Sequence, residues 1–256
     1  MNILCPVCGE KLTRNDKTYS CPKGHCFDIA KEGYLNLNRK KSTNTGDMGE
    51  MIRARRAFLE KGYYAFMRNK VDEFIKQDDS LIDLACGEGY YTSYFKAKDK
   101  IGIDLSKPGL KIASKKDKNT IYLLNSIFHN PLEDACADKI ITIFAPIAKN
   151  EIRRMLKKDG AFILVKPNKD HLFELKQAVY DKPYLNEIED IEIEGLRLAQ
   201  EIAIMDQGIL NNEDLHNLFV MTPYYNTSSQ DDKDKLKKIE KLKVSFSFLV
   251  DIYRKS

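Results

Sequence analysis

The sequence predicts an α/β fold: a mostly parallel sheet preceded by a small cysteine-rich unit. Three observations carry this reading. Short apolar runs alternate with helical patterns from about residue 80 onward. Four of the six cysteines, Cys5, Cys8, Cys21 and Cys26, fall in the first 26 residues. The charge divides the same way: residues 1–77 hold 15 Lys+Arg against 9 Asp+Glu, a net of +6, whereas the rest hold 27 against 29, a net of −2. At 256 residues the chain can bury a real core without disulfides. No run approaches the roughly 18 apolar residues of a membrane span, and MNILCPVCGE lacks the basic and apolar start of a secretory signal. The expectation is a soluble cytoplasmic protein without membrane contact, whose basic N-terminal part meets an anionic partner.

The first unit reads as a metal site. Cys5-x2-Cys8 is followed after twelve residues by Cys21-x3-His25, each pair in a knuckle with Pro6 and Gly9 or Pro22 and Gly24. Such knuckles supply three thiolates and one imidazole, a closed tetrahedral set for one structural zinc ion. Cys26 is an alternative fourth ligand in place of His25. Residues 1–36 are too few to fold alone, so the metal is part of their stability.

Residues 37–77 read as a basic loop and helical connector. Asn38 to Gly49 has no apolar periodicity and is expected to be a loop. Met51, Ile52, Ala54, Phe58 and Leu59 recur at helical spacing with Arg53, Arg55 and Arg56 between them, and a second helical pattern runs from Tyr63 to Lys76. The three arginines are a candidate phosphate-gripping surface.

Residues 78–256 carry the sheet. Its parallel strands are expected at Leu81–Ala85, Lys100–Asp104, Ile121–Leu124, Lys139–Phe144 and Ala161–Val165. The first runs into Asp83-Leu-Ala-Cys-Gly87-Glu-Gly89, where glycines let the backbone pass close to a ligand before a helix starts. Asp104 closes the next strand, a position from which a carboxylate takes both ribose hydroxyls. Ala85 stands at the first glycine of the dinucleotide fingerprint, no third glycine follows, and there is no phosphate loop. Asp83 and Asp104 around a glycine pair fit S-adenosylmethionine, which has no pyrophosphate to cradle. A nucleoside-cofactor site on an open α/β sheet follows from these residues.

The segment Leu156–Gly160 reads as a turn, and residues 168–225 as an insertion-like region. Leu196–Leu210 and Lys243–Tyr253 are expected to complete the sheet as an antiparallel pair, with an acid-capped helix at Asn211–Val220 and a charged, solvated helix at Asp231–Lys243.

The knuckles, KEGYLNL (Lys31–Leu37), ARRAFL (Ala54–Leu59), CGEGYYT (Cys86–Thr92) and HLFELK (His171–Lys176), in this order, resemble the bacterial 23S rRNA (guanine-N1)-methyltransferases of the RlmA type. The resemblance covers nearly the whole chain. It implies a zinc-binding RNA-recognition domain before a Rossmann-like S-adenosylmethionine-dependent methyltransferase sheet, and methyl transfer to N1 of a guanine in the hairpin 35 loop of 23S rRNA. The rRNA would be naked or in a precursor particle, and the oligomeric state stays open, a homodimer included. By motif, zinc falls to Cys5, Cys8, Cys21 and His25, and the cofactor to Tyr64, Gly87, Glu88 and His171. Phe144-Ala-Pro146 departs from the Asn/Asp-Pro-Pro-aromatic motif used on exocyclic amines, which fits a ring nitrogen as acceptor. Tyr90, Tyr91 and Phe144 are candidates to stack on the base. No motif marks a general base, and His129 and His216 read as structural or exposed. A small-metabolite methyltransferase with a zinc lid and a non-catalytic ribosome-assembly protein are the competing readings.

Overall fold

The computed structural model describes residues 1–39 and 49–255, so most of the loop expected at Asn38–Gly49 lies outside the described residues. Three short strands, β1 (Thr13–Asn15), β2 (Thr18–Ser20) and β3 (Cys26–Asp28), form an antiparallel sheet around the cysteine knuckles. Among the described residues the large sheet has eight strands. In chain order they are β4 (Leu35–Asn36), β5 (Ser80–Leu84), β6 (Asp99–Asp104), β7 (Thr120–Leu124), β8 (Ala137–Ile143), β9 (Leu156–Pro167), β10 (Leu196–Asn211) and β11 (Lys241–Lys255).

Their spatial order is β10-β11-β9-β8-β5-β6-β7-β4. The strands from β4 to β9 pair in parallel, while β11 runs antiparallel to both β9 and β10, as the sequence leads one to expect. The order reverses at β5, where β6 lies to one side and β8 to the other. Ligands of open parallel sheets sit at the carboxyl ends flanking such a reversal.

Both faces of the sheet are covered, which is why its central strands read as continuous apolar runs. Ile141, Ile143, Ile163, Val165, Phe248 and Val250 pack on one side against helices α1 (Gly49–Glu60), α2 (Ala65–Asp72), α5 (Phe173–Val179) and α6 (Asn212–Val220). On the other side Ile82, Leu84, Ile140, Phe162 and Leu164 meet α4 (Lys149–Met155) and the buried residues Ile3, Cys5, Leu12 and Cys21 of the first unit. Helix α3 (Lys107–Lys116) packs beside β7 through Leu110, Ala113 and Tyr122.

The stretch from 49 to 77 does more than connect. Phe58, Leu59, Tyr64, Met67, Val71 and Ile75 are all buried in the sheet's core, so α1 and α2 are part of its cover. The first unit is tied in as well: β4 adds a parallel edge strand beside β7, with Leu35 opposite Leu123.

Four local expectations are corrected. No helix follows Gly89; residues 90–95 make a run of turns, closed by Ser93 N–H to the Gly89 carbonyl at 3.0 Å. The segment Tyr90-Tyr-Thr-Ser-Tyr-Phe95 is aromatic and β-branched, a poor helix former. The turn expected at Leu156–Gly160 is instead inside β9, at a slip in register between Ala137 and Lys139. The charged helix is α8 (Gln230–Lys237), and Lys241 already pairs with Asn211 as β11 begins. The insertion is short, because only α5 and irregular residues 180–195 separate β9 from β10.

Candidate active site and metal centre

The carboxyl ends of β5, β6, β8 and β9 open into a cleft of about 880 Å³. That volume suits a nucleoside cofactor with room for part of a second ligand. Tyr64, Asp83, Gly87, Glu88, Asp104 and His171, the six candidate cofactor residues, all line it.

The half over β5 and β6 is acidic and tightly built. Beyond β5 the chain turns through Ala85 at φ 65°, Gly87 at φ 56° and Gly89 at φ 74°. A Cβ on Gly89 would lie 2.6 Å from the Tyr122 hydroxyl and 2.9 Å from the Ala113 Cβ, so only glycine lets the loop lie against α3 and β7. Asp104 clamps the loop, accepting from Gly87 N–H at 2.7 Å and Ser106 N–H at 2.6 Å. Ser106 in turn caps α3, accepting from Gly109 N–H at 3.2 Å.

Asp83 is buried at the foot of the cleft and accepts from the Thr92 hydroxyl. Burial pushes its carboxyl up to about 7, aided by the Asp104 charge and opposed by the Thr92 hydrogen bond. Glu88 is also raised to about 7, by burial against the pull of Arg55 and Arg56. Its Oε2 is buried without a hydrogen-bond partner among the described residues, an acceptor for which the protein supplies no donor.

The half over β8 and β9 is apolar and strained. Phe144, Ala145 and Pro146 follow β8 and line the cleft. Phe144 sits at φ 54° and is 42% exposed. Ala85, Phe144 and Leu172 hold left-handed backbone and all border this cleft, a concentration of strain typical of functional sites. His171 accepts from Ser247 N–H at its Nδ1, 3.2 Å away, and burial lowers its pKa to about 3. The imidazole is therefore neutral, with its proton on Nε2. Tyr64 is buried beside it, in edge contact with Phe248.

Of the three stacking candidates only Phe144 is exposed; Tyr90 is buried in the core against Tyr91. The three arginines do not share one face. Arg53 is exposed, Arg56 pairs with Glu60 at 2.9 Å, and Arg55 lines the cleft near Gly87. His129 and His216 are exposed, and neither lines the cleft.

In the first unit the ligand atoms of Cys5, Cys8, Cys21 and His25 all lie within 4.8 Å of one another. Cys8 Sγ and Cys21 Sγ are 3.7 Å apart, and Cys21 Sγ is 3.3 Å from His25 Nδ1. The first spacing is far too long for a disulfide. It matches the edge of a tetrahedron with metal–sulfur bonds of about 2.3 Å. Burial raises the Cys21 thiol, but hydrogen bonds from the His25 backbone and ring outweigh it and bring it to about 6. Cys26 is exposed, points its sulfur at the Gly24 carbonyl, and is not in the cluster.

Residues 3–43 match the zinc ribbon found at the RlmA N-terminus, and residues 82–164 match a methyltransferase domain. The chain is 31% identical to the 23S rRNA (guanine(748)-N(1))-methyltransferase of Streptomyces fradiae, over 69% of this chain and 67% of that one. A Bacillus subtilis protein named as a putative 23S rRNA (guanine-N(1)-)-methyltransferase is 29% identical over 92% and 91% of the two chains. The chain belongs to the 23S rRNA (guanine-N1)-methyltransferase family. A solved putative methyltransferase from Bacillus halodurans shares its fold at a TM-score of 0.51, with 15% identity over 75% of this chain and 99% of that one.

This methyltransferase uses S-adenosylmethionine and carries one structural zinc, and its residues fit both. Three thiolates and an imidazole, as clustered here, would make a closed tetrahedral set for zinc. The orphaned Glu88 oxygen and the Asp83 and Asp104 carboxylates suit a ligand with hydroxyl donors and positive charge rather than a pyrophosphate. Among the described residues no helix is long and apolar enough to cross a membrane. Two cationic lining residues went unmarked in the sequence as cleft groups, Arg55 and Lys166. The signal for Lys166 was present: a cation directly after the apolar run Ala161–Val165 and before Pro167, at a strand's carboxyl end.

Proposed function

We propose that this methyltransferase acts in the cytoplasm on N1 of a guanine in the hairpin 35 loop of 23S rRNA, with residues 1–36 meeting the RNA. The observation that carries the proposal is the division of one cleft, in a chain of this family, into an acidic half and an apolar half fronted by exposed Phe144.

In this reading Cys5, Cys8, Cys21 and His25 hold zinc, and Asp83, Gly87, Glu88 and Asp104 hold the cofactor, with Tyr64 and His171 beyond them. When bound, S-adenosylmethionine supplies an electrophilic methyl group on a sulfonium. Asp104 keeps the Gly87 loop in place, and Glu88 offers its free oxygen to a cofactor hydroxyl or ammonium. His171, neutral, offers an Nε2–H donor. Guanine N1 lies on the pairing edge, so the base enters unpaired and stacks on Phe144. Catalysis is then mainly orientation of two held groups.

The test uses the full chain, labelled S-adenosylmethionine and large-subunit rRNA lacking its native methylations, both naked and in precursor particles. Nuclease digestion and mass mapping should find a single 1-methylguanine in the hairpin 35 loop. A methyl group elsewhere, or no transfer to either form with zinc and cofactor bound, would sink the proposal and restore the small-metabolite reading.

A further inference from the structure

Lys166 is the residue of the cleft that its fold explains least. In β9 it follows Val165, whose carbonyl accepts from Phe144 N–H at 3.1 Å, so it stands beside the Phe144–Pro146 wall. Pairing puts Lys166 opposite Leu249 and Leu164 opposite Asp251. Paired residues share a face, so Lys166 and Asp251 are diagonal neighbours on one side of the sheet. The ammonium lies 2.7 Å from Asp251 Oδ2.

Asp251 is 0% exposed, and neither of its oxygens makes a hydrogen bond of good geometry with a described residue. The Lys166 ammonium is the countercharge of this carboxylate. A buried pair of this kind contributes little to stability, because desolvation offsets attraction, and packed apolar residues would serve a core as well or better. What the pair does achieve is position: an anchored cation at the apolar half of the cleft.

Among the described lining residues only Arg55, Lys166 and His171 carry basic side chains. Arg55 lies in the acidic half by Gly87, and His171 is neutral. Lys166 alone brings positive charge to the half where the methyl acceptor sits.

We propose that Lys166, held in place by Asp251, donates a hydrogen bond to O6 of the target guanine and stabilises the charge that forms there as N1 loses its proton. The inference rests on the guanine-N1 reading above. In the step the N1–H bond breaks, its proton passes to water at the cleft mouth, and its electron pair stays on the ring, spread over N1 and O6. Lys166 remains protonated throughout. N1, now anionic, is the nucleophile. A fixed donor at a developing oxyanion acts without reorganisation.

The experiment uses the full chain with zinc bound and a hairpin RNA carrying the target guanine. Lys166→Met should lower the single-turnover rate about 10²–10³-fold, the scale of removing one oxyanion donor, with cofactor and RNA affinities unchanged. Lys166→Arg should keep most of the rate, since it keeps the cation. Asp251→Asn should lower kcat by less and leave KM alone, as expected of a positioning residue. The double variant Lys166→Met with Asp251→Leu removes both charges without orphaning either, and should be as slow as Lys166→Met. A second readout needs no turnover. With 6-thioguanosine at the target and S-adenosylhomocysteine bound, the absorbance of wild-type complex should show thiolate and that of Lys166→Met should show thione. Wild-type rates in the double variant, or equal thiolate in both proteins, overturn the role of Lys166 while 1-methylguanine from the wild type leaves the proposed function standing. A wild-type product methylated at another atom overturns both.

Discussion

The zinc unit and the large sheet are stabilised in opposite ways. Strands β1, β2 and β3 have three residues each, and of these nine only Tyr19 is buried. In β5 and β8 nearly every residue is buried, and β9 buries six in a row from Gly160 to Val165. The first unit has too little apolar surface to hold itself, so four ligand atoms and its contact with the sheet must do so. The sheet needs no staple, and three of its left-handed residues, Ala85, Phe144 and Leu172, lie in loops bordering the cleft at its carboxyl edge, with Ala135 before β8 at the opposite edge. Order is therefore local and chemical in one region, and collective in the other.

The largest effect should come from the metal. Structural zinc contributes about 10–16 kcal/mol of apparent binding energy to small units. Stripping it with a chelator, or Cys21→Ser, should abolish hydrogen-exchange protection in residues 1–29 and leave β5, β8 and β9 protected. If protection in those strands collapses too, the two regions are one cooperative unit and the contrast is false.

A smaller effect tests the opposite region. Gly89→Ala forces a side chain into a left-handed position and against Tyr122. It should cost about 1–3 kcal/mol by thermal or denaturant unfolding, and weaken cofactor binding, while zinc content stays at one per chain. Unchanged stability would mean that the loop can move off α3, and that the acidic half is less rigid than its geometry indicates.

The smallest and most specific effect is on pH dependence. Glu88 is raised from 4.5 to about 7 and Asp83 from 3.8 to about 7, so between those values the folded protein holds protons that the unfolded chain releases. Stability of the cofactor-free protein is then greatest below about pH 4 with respect to these groups, and falls as pH rises toward 7. A cationic cofactor prefers the ionised carboxylates, so its affinity should rise with pH up to about 7, by no more than about tenfold per unit for each group. Glu88→Gln should flatten the affinity profile measured by calorimetry. A profile equally steep in the variant would assign the titration to Asp83.

Much of the fold was legible because its signals are local. Apolar runs such as Leu81-Ile-Asp-Leu84 and Ala161–Val165 announce strands buried on both faces, and a glycine pair after Asp83 announces a close approach. The six candidate cofactor residues meet in one cleft, since four of them lie within or just beyond the first two parallel strands, whose carboxyl ends must be adjacent. The segment after Gly89 was misread as a helix because the usual plan of the fold outweighed the aromatic sequence that favours turns. The arginine triplet does not form one surface: Arg53 and Arg56, three residues apart, share the exposed side of α1, and Arg55 turns away to the cleft.

By itself the sequence determined that Cys5, Cys8, Cys21 and His25 form one cluster, that five parallel strands follow in order from residue 80, and that two long strands close the sheet. Tertiary structure alone decided that residues 35–36 extend the sheet, that α1 and α2 belong to the core, that Arg55 turns to the cleft, and that Asp251 anchors Lys166. The division has a physical reason. Ligand spacing, periodicity and turn chemistry act over a few residues and leave a local trace. A carboxylate that meets its lysine 85 positions away does so only because β11 lies antiparallel to β9 in one register, and that register is set by the burial of both whole strands.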